Sequence, residues 1–204
     1  MEYLPIDILE FINSNASYTP REHTIYRDIR MNTNYRLLTF WDTSFIENMG
    51  NLFARYRYSP DLLWNTSNVT KMFYMFERSI FNGYINCWNT KNVITMNYMF
   101  SKSEFNNPIN SWDVSNVEYM SGMFSNSIFN RTISKWNVNK VRDSQYMFNN
   151  ARFNKNISSW NLSNVVAVHY MLNNSNIDKI SFKIKNGVNQ KNIFGGKIYG
   201  RFIK

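Results

Sequence analysis

Tryptophan recurs along this chain at a fixed interval, and that interval is the strongest constraint on the fold. Trp41 lies 23 residues before the next tryptophan, and each later one follows its predecessor by 24 residues. These later tryptophans are Trp64, Trp88, Trp112, Trp136 and Trp160. Self-similarity at such a period is typical of repeat proteins, in which each unit buries its apolar face only by stacking on its neighbours. The sequence therefore predicts a row of similar units that share one core.

Other residue types keep step with the tryptophans. Valine stands five residues after each of the five regularly spaced tryptophans, and methionine stands eleven residues after each. This methionine column holds Met75, Met99, Met123, Met147 and Met171, and the column after it holds Phe76, Phe100, Phe124, Phe148 and Leu172. Apolar steps of three and four are typical of one face of a helical turn. An asparagine four residues after the tryptophan, such as Asn92, is suited to cap that turn.

A second segment leads into each tryptophan and has the pattern Phe-Asn-x-x-Ile-x-x-Trp, as in residues 105–112. This segment is richer in strand-forming residues, which indicates a loop that enters a short parallel strand. One helical piece and one short strand in a period of this length is the plan of a leucine-rich repeat. The chain is therefore predicted to be an α/β protein, a leucine-rich-repeat-like solenoid of about five to six 24-residue coils, each with a short helical turn and a short parallel strand.

The two ends of the chain depart from the repeat. Stacks of repeats need atypical terminal units that cover the exposed core, so we divide the chain into an N-terminal cap at 1–40, the solenoid at 41–177 and a basic C-terminal cap at 178–204. Residues 3–12 have the pattern of a short amphipathic helix. The C-terminal cap is expected to be rich in strand, with alternation at 180–185 and a hairpin around Gly195 and Gly196.

The repeat consensus Phe-Asn-x-x-Ile-x-x-Trp-x-x-x-Asn-Val-x-x-Met-x-x-Met-Phe resembles the mycoplasma-type surface-protein repeat, a group related to the BspA-type leucine-rich repeats. The cleanest copy is FNNPINSWDVSNVEYMSGMFSNSIF at 105–129, and the resemblance covers about 64–177 with a weaker copy from 41. The resemblance implies a solenoid that takes part in protein interaction, often at a cell surface, and it brings no catalytic residues. Similar repeats also occur in proteins of large DNA viruses, so the resemblance allows a virion component.

Charge adds a rival class of partner. The chain carries 23 basic and 14 acidic side chains, and its last part, 178–204, holds seven basic residues against Asp178 alone. Such a tail can attract nucleic acid or another anionic surface, or it can simply keep the end of the stack soluble. A second basic group gathers on the fourth copy, which is either a binding patch or a solvated face: Arg131, Lys135, Lys140, Arg142, Arg152 and Lys155.

The sequence offers no pattern that points to catalysis, to a cofactor or to a metal. His23 and His169 have no second ligand at a recognised metal-binding spacing. The chain has no glycine-rich phosphate loop and no Gly-x-Ser-x-Gly elbow. Cys87, the single cysteine, stands in a column that holds serine or lysine in the three later copies, which favours an incidental exposed thiol, and a single cysteine excludes an internal disulfide. We therefore expect a protein that is not an enzyme.

Two columns outside the apolar core are candidates for partner binding. Ten residues after the tryptophan, a tyrosine recurs in four of five copies, and Gly122 takes its place in the fifth. The column is Tyr74, Tyr98, Tyr146 and Tyr170. Tyrosine suits interfaces, although each ring could instead pack against the next coil. The strand face supplies the second set, which is Asn86, Asn110, Ser134 and Ser158.

These observations favour a non-enzymatic protein–protein interaction or structural module. The alternatives are a structural or cement component of a large assembly, such as a large DNA virus particle, and an electrostatic binder that acts through the basic tail. Residues 1–11 lack the features of a signal peptide, and no stretch reaches the roughly 18 apolar residues of a membrane span. A cytoplasmic or virion location is therefore expected.

Overall fold

The computed structural model describes residues 21–32, 34–177, 183–184 and 190–195. Regular elements are short: helix α1 at Ile25–Met31, a 3-10 helix at Tyr35–Phe40, strand β1 at Asn161–Leu162, strand β2 at Lys183–Ile184 and helix α2 at Gln190–Ile193. Between these elements the described chain consists of tight turns, isolated bridges and irregular segments. The architecture therefore depends on contacts between repeat units and not on long helices or strands.

Successive units are joined by a parallel ladder. One residue of each unit, seven places after its tryptophan, forms a bridge with the same column of the next unit, and every bridge is parallel. The bridged residues are Asn48, Lys71, Thr95, Tyr119, Asp143 and Ala167. Strands β1 and β2 continue the parallel arrangement, with Leu162 opposite Ile184. The units consequently stack in chain order, while their assignment to the leucine-rich-repeat class stays a prediction.

The apolar segment after each tryptophan is a series of tight turns, although its spacing predicts a helical turn. In the unit that follows Trp88, Ser101 N–H donates to Tyr98 O at 3.1 Å, and Tyr98 and Lys102 both have left-handed φ, at 55° and 56°. A right-handed helix cannot pass through such residues. Alternate N–H groups instead donate to the next unit, as Phe100 N–H does to Met123 O at 2.9 Å.

The parallel pairing also falls at a different place from the predicted one. It lies after the tryptophan, at the ladder column, and not on the Phe-Asn-x-x-Ile segment before it. Steps of three and four bury the same side chains in a helix and in consecutive turns, so apolar periodicity cannot distinguish the two. Turns leave alternate amides free to pair with the next unit, whereas a helix would satisfy them internally.

Aromatic rings fill the core in continuous stacks. Neighbouring phenylalanine rings of one column lie 5.3 to 5.7 Å apart from Phe53 to Phe148, with interplanar angles of 3° to 11°. A second column, from Phe81 to Phe153, repeats at 6.2 Å. Each pair within a unit is closer still, as Phe124 and Phe129 are at 4.2 Å. All these rings are fully buried, so each unit completes the core of its neighbours.

Polar side chains tie the units together at the edge of this core. The indole N–H of Trp136 donates to Ile109 O of the preceding unit at 3.0 Å, and other tryptophans make equivalent bonds. The asparagine column expected to cap a helix bonds across units too, since Asn92 Nδ2 donates to Ser67 O at 2.7 Å. In a further column, Asn130 N–H donates to Asn106 Oδ1 at 2.9 Å. Both asparagine columns therefore serve contacts between units.

The described parts of the two caps are mostly helical. At the N-terminal end, Ile25, Ile29 and Leu38 are buried and belong to the main core, while the helix predicted for residues 3–12 lies outside the described residues. At the C-terminal end, the strand predicted at 180–185 contains β2. The expected hairpin differs, because its first arm lies in α2 and Leu172 N–H donates to Ile193 O at 2.9 Å. The rest of that hairpin lies outside the described residues.

Replacement of Phe124 by alanine tests the stacked core. Phe124 contacts Phe100, Phe129 and Phe148, so its loss leaves a cavity at the junction of three units. We expect the free energy of unfolding, measured with denaturant, to fall by about 3–5 kcal/mol. Ile94→Ala, at a side chain that is 44% exposed, is the control and should change it by less than about 1 kcal/mol. Equal effects of the two variants would contradict the stacked core.

Candidate functional site

The tyrosine column forms one edge of the turn segment in each unit. Tyr74, Tyr98, Tyr146 and Tyr170 all have left-handed φ, between 53° and 57°. Residues other than glycine and asparagine seldom adopt this backbone conformation. Here the backbone N–H of each tyrosine pairs with the next segment, as Tyr98 N–H donates to Ser121 O at 2.7 Å. The ladder thus holds every tyrosine in the same orientation relative to its unit.

The rings of the column form two stacks. Tyr74 and Tyr98 lie 5.0 Å apart with an interplanar angle of 3°, and Tyr146 and Tyr170 lie 5.4 Å apart at 8°. Tyr74 and Tyr146 are each 37% exposed, and Tyr170 is 42% exposed. The ring faces therefore pack between units while Tyr74, Tyr146 and Tyr170 remain partly exposed, and a role of this exposed surface in partner binding stays a prediction.

Gly122 separates the two stacks. Its φ is 59°, and a Cβ atom at this position would lie only 2.2 Å from a ring carbon of Tyr98. The Tyr98 ring therefore lies directly against the Gly122 backbone, and it is less exposed than the other three tyrosines of the column. Burial is also the main reason why the pKa of Tyr98 is raised, with smaller contributions from Tyr74, Asp143 and Tyr146. Of the four tyrosines in the column, Tyr98 therefore contributes most to packing between units and offers the least exposed surface.

The strand-face candidates are mainly involved in bonds between units. Asn86 Oδ1 accepts from Ser111 Oγ at 2.6 Å, and Asn110 Oδ1 accepts from the N–H of Lys135 at 3.1 Å. Ser134 and Ser158 are exposed, and Ser134 O accepts from Ser159 Oγ at 2.9 Å. The two asparagines therefore have a structural use, and the two serines are the more accessible part of this face.

Three of the six basic side chains of the fourth copy are engaged in contacts with the preceding unit. Lys140 Nζ donates to Asn116 Oδ1 at 2.6 Å, Arg131 Nε donates to Asn106 O at 2.7 Å, and Arg142 pairs with Glu118 at 3.4 Å. The basic tail at 178–204 lies mostly outside the described residues. Geometry therefore gives no support to a binding patch on the fourth copy.

Residues suited to chemistry do not converge in the described part of the chain. His23 and Cys87 are exposed, and within the described ranges no group of three or more histidine, cysteine or acidic residues could hold a metal ion. The same part of the chain contains no helix that is long and apolar enough to span a membrane.

Sequence reasoning missed a cleft near the N-terminal end of the stack. Arg55, Tyr56, Arg57, Arg78 and Ile80 line it, and its volume is about 370 Å³. Arg55 and Arg78 occupy one column, four residues after the tyrosine column. That column continues with Lys102 and then with asparagines, so aligning the copies would have indicated a basic segment confined to the first units. The lone Arg57 gave no such signal.

Tyr56 is buried at this cleft. Its hydroxyl has no hydrogen-bond partner among the described residues, and the Arg30 guanidinium lies 5.8 Å from its ring centre. Burial raises the pKa of Tyr56 to about 12, an effect that Arg30 opposes and Tyr58 reinforces. Tyr56 is therefore a protonated donor at neutral pH.

Parallel bridges, repeated side-chain ladders and a common core define a repeat protein whose units stack in chain order. The chain belongs to the family described as Mycoplasma protein of unknown function, DUF285, whose model matches residues 23–127, 60–151 and 81–187. The predicted resemblance to a mycoplasma-type repeat family is thereby confirmed, while the relation to BspA-type leucine-rich repeats stays a prediction. No curated protein matches the chain. No solved structure matches it either.

The Tyr56 hydroxyl predicts a dependence of stability on alkaline pH. The unfolded chain loses this proton near pH 10, whereas the folded chain keeps it to about 12, so stability due to this group is lost as pH rises through that interval. We expect Tyr56→Phe to flatten the decline in unfolding free energy between these pH values, measured with denaturant. Tyr84→Phe, at a side chain that is 44% exposed, should leave the decline unchanged. Identical pH profiles for wild type and Tyr56→Phe would contradict the assignment.

Proposed function

We propose that this chain is a non-enzymatic protein-interaction module built on a leucine-rich-repeat-like solenoid. The observation that carries the proposal is the exposed tyrosine column, in which stacked rings remain 37% to 42% exposed at Tyr74, Tyr146 and Tyr170. A tyrosine ring offers a large apolar area and a polar hydroxyl at its edge, which is why tyrosine is enriched in interfaces.

Rigidity supports the same proposal. Binding normally costs free energy because mobile side chains must become ordered. Each tyrosine of the column is already fixed by a backbone ladder bond and by the neighbouring ring, as Tyr146 is by His169 O at 2.9 Å and by the ring of Tyr170. Binding of a partner to the tyrosine column would therefore cost less conformational entropy than binding to a flexible loop, because the tyrosine side chains are already ordered.

Site-specific photo-cross-linking in the cells that naturally make the protein tests the proposal. A photo-reactive aromatic amino acid is placed at position 74 or 146, and the control places it at position 84, where Tyr84 is exposed to a similar extent outside the column. We expect discrete products from 74 and 146 that are absent from 84. Cross-links to a repeating structural protein of a particle would assign the partner to a large assembly.

A second variant separates binding from folding. Asn51 occupies the tyrosine column in the first unit with φ of 63°, so asparagine suits this backbone conformation. Tyr146→Asn combined with the cross-linker at 74 should reduce the product while leaving the thermal unfolding midpoint close to that of the parent. Equal products from 74, 146 and 84, or no product from the column, would contradict the proposal.

A further inference from the structure

The arginine-lined cleft is a candidate ligand site separate from the tyrosine column. Arg55, Arg57 and Arg78 converge on one volume of about 370 Å³ together with Tyr56 and Ile80. This volume lies within the range of small-molecule sites, which begins at about 300 Å³. Ile80 is 46% exposed and supplies an apolar wall beside the guanidinium groups.

The positive charge at this cleft is largely uncompensated within the described residues. Arg78 pairs with Glu77 at 2.9 Å, whereas Arg55 and Arg57 have no ion pair there. Arg30 adds a fourth guanidinium, which donates to Ala54 O and lies over the Tyr56 ring. Guanidinium groups that line one cleft repel one another, and a bound anion would compensate their charge.

Backbone geometry fixes two of the arginines relative to each other. Arg55 and Arg78 both have left-handed φ, at 58° and 56°, and Arg55 N–H donates to Glu77 O at 2.7 Å. Their side chains therefore leave adjacent rungs of the ladder, which in paired strands lie about 4.8 Å apart. Later units place Asn126, Asn150 and Asn174 in this column with φ of 53° to 56°. The fold therefore tolerates asparagine here and does not itself require arginine.

The buried Tyr56 hydroxyl is an independent indication of a ligand. Tyr56 is one of the residues that line the same cleft, and its hydroxyl, which is closed to solvent, has no hydrogen-bond partner among the described residues. Buried donors are rarely left without an acceptor, because desolvation is then uncompensated. An anionic oxygen that comes within reach of this hydroxyl would supply the missing acceptor.

We propose that this cleft binds a phosphate group, with Arg55, Arg57 and Arg78 as the groups that hold it. Guanidinium groups form bidentate hydrogen bonds to phosphate oxygens and stay charged at every physiological pH. Ile80 then contacts the apolar part of the molecule that carries the phosphate. The phosphate belongs either to a small soluble ester or to a lipid headgroup, since both present the same oxygens.

Calorimetric titration of the full chain with inorganic phosphate tests the site. Wild type should bind, and Arg55→Asn and Arg78→Asn should each weaken binding by about tenfold or more, because each removes hydrogen bonds to a charged group. Lys102→Asn is the matched control, since Lys102 lies in the same column with φ of 56° and does not line the cleft. A second pair of variants repeats the comparison at residues whose backbone is not left-handed. Arg57→Gln should weaken phosphate binding, and its control Arg152→Gln should not.

Vesicles distinguish the two sources of the phosphate. If the wild-type protein floats with phosphatidylcholine vesicles that contain phosphatidic acid, and Arg55→Asn does not, the phosphate belongs to a lipid. Binding of free phosphate without flotation would assign it to a soluble molecule. Wild type that does not bind inorganic phosphate, or controls that weaken binding as much as the arginine variants do, would overturn the site.

Discussion

The backbone ladder between units is the interaction on which the rest of the structure depends. Alternate amides of the turn segment, such as those of Tyr98 and Phe100, find acceptors only in the following unit. A buried amide without an acceptor is costly, so a unit cannot form this segment without its neighbour. The ladder also sets the separation at which the phenylalanine rings stack, 5.3 to 5.7 Å, and the core and the ladder therefore require the same period.

The ladder separates positions that maintain the stack from positions free to acquire a function. Tryptophan, methionine and phenylalanine columns are buried in every unit, and the asparagine side chains bridge neighbouring units. Most of the left-handed positions are exposed, and they change in chemistry along the chain, from Arg55 to Lys102 to Asn126 in one column. Rigid display of variable side chains suits a binding protein, and both proposals rest on such positions.

The sequence predicted the repeat, its phase, the buried columns and the tyrosine column, because tryptophan and methionine are rare enough for their period to be unmistakable. It did not predict the tight turns, since a helix and a run of turns bury the same apolar steps and differ only in where their amides bond. The Phe-Asn-x-x-Ile pattern predicts a strand before Trp112, whereas the bridge forms at Tyr119. The Arg55 cleft was missed because its side chains converge only once Arg57 and Arg78 are folded onto adjacent rungs.

Deletion of one whole unit tests whether the ladder between units determines the fold, because a ladder between equivalent columns should close over the gap. Removal of residues 105–128 joins Glu104 to Phe129 and keeps every column in register, whereas removal of 105–116 shifts all later columns by half a unit. We predict that the first variant unfolds cooperatively in denaturant, with a smaller slope than the parent because less surface is exposed, and that the second has no cooperative transition. Loss of cooperative unfolding in the whole-unit deletion, or its retention in the half-unit deletion, would contradict the account.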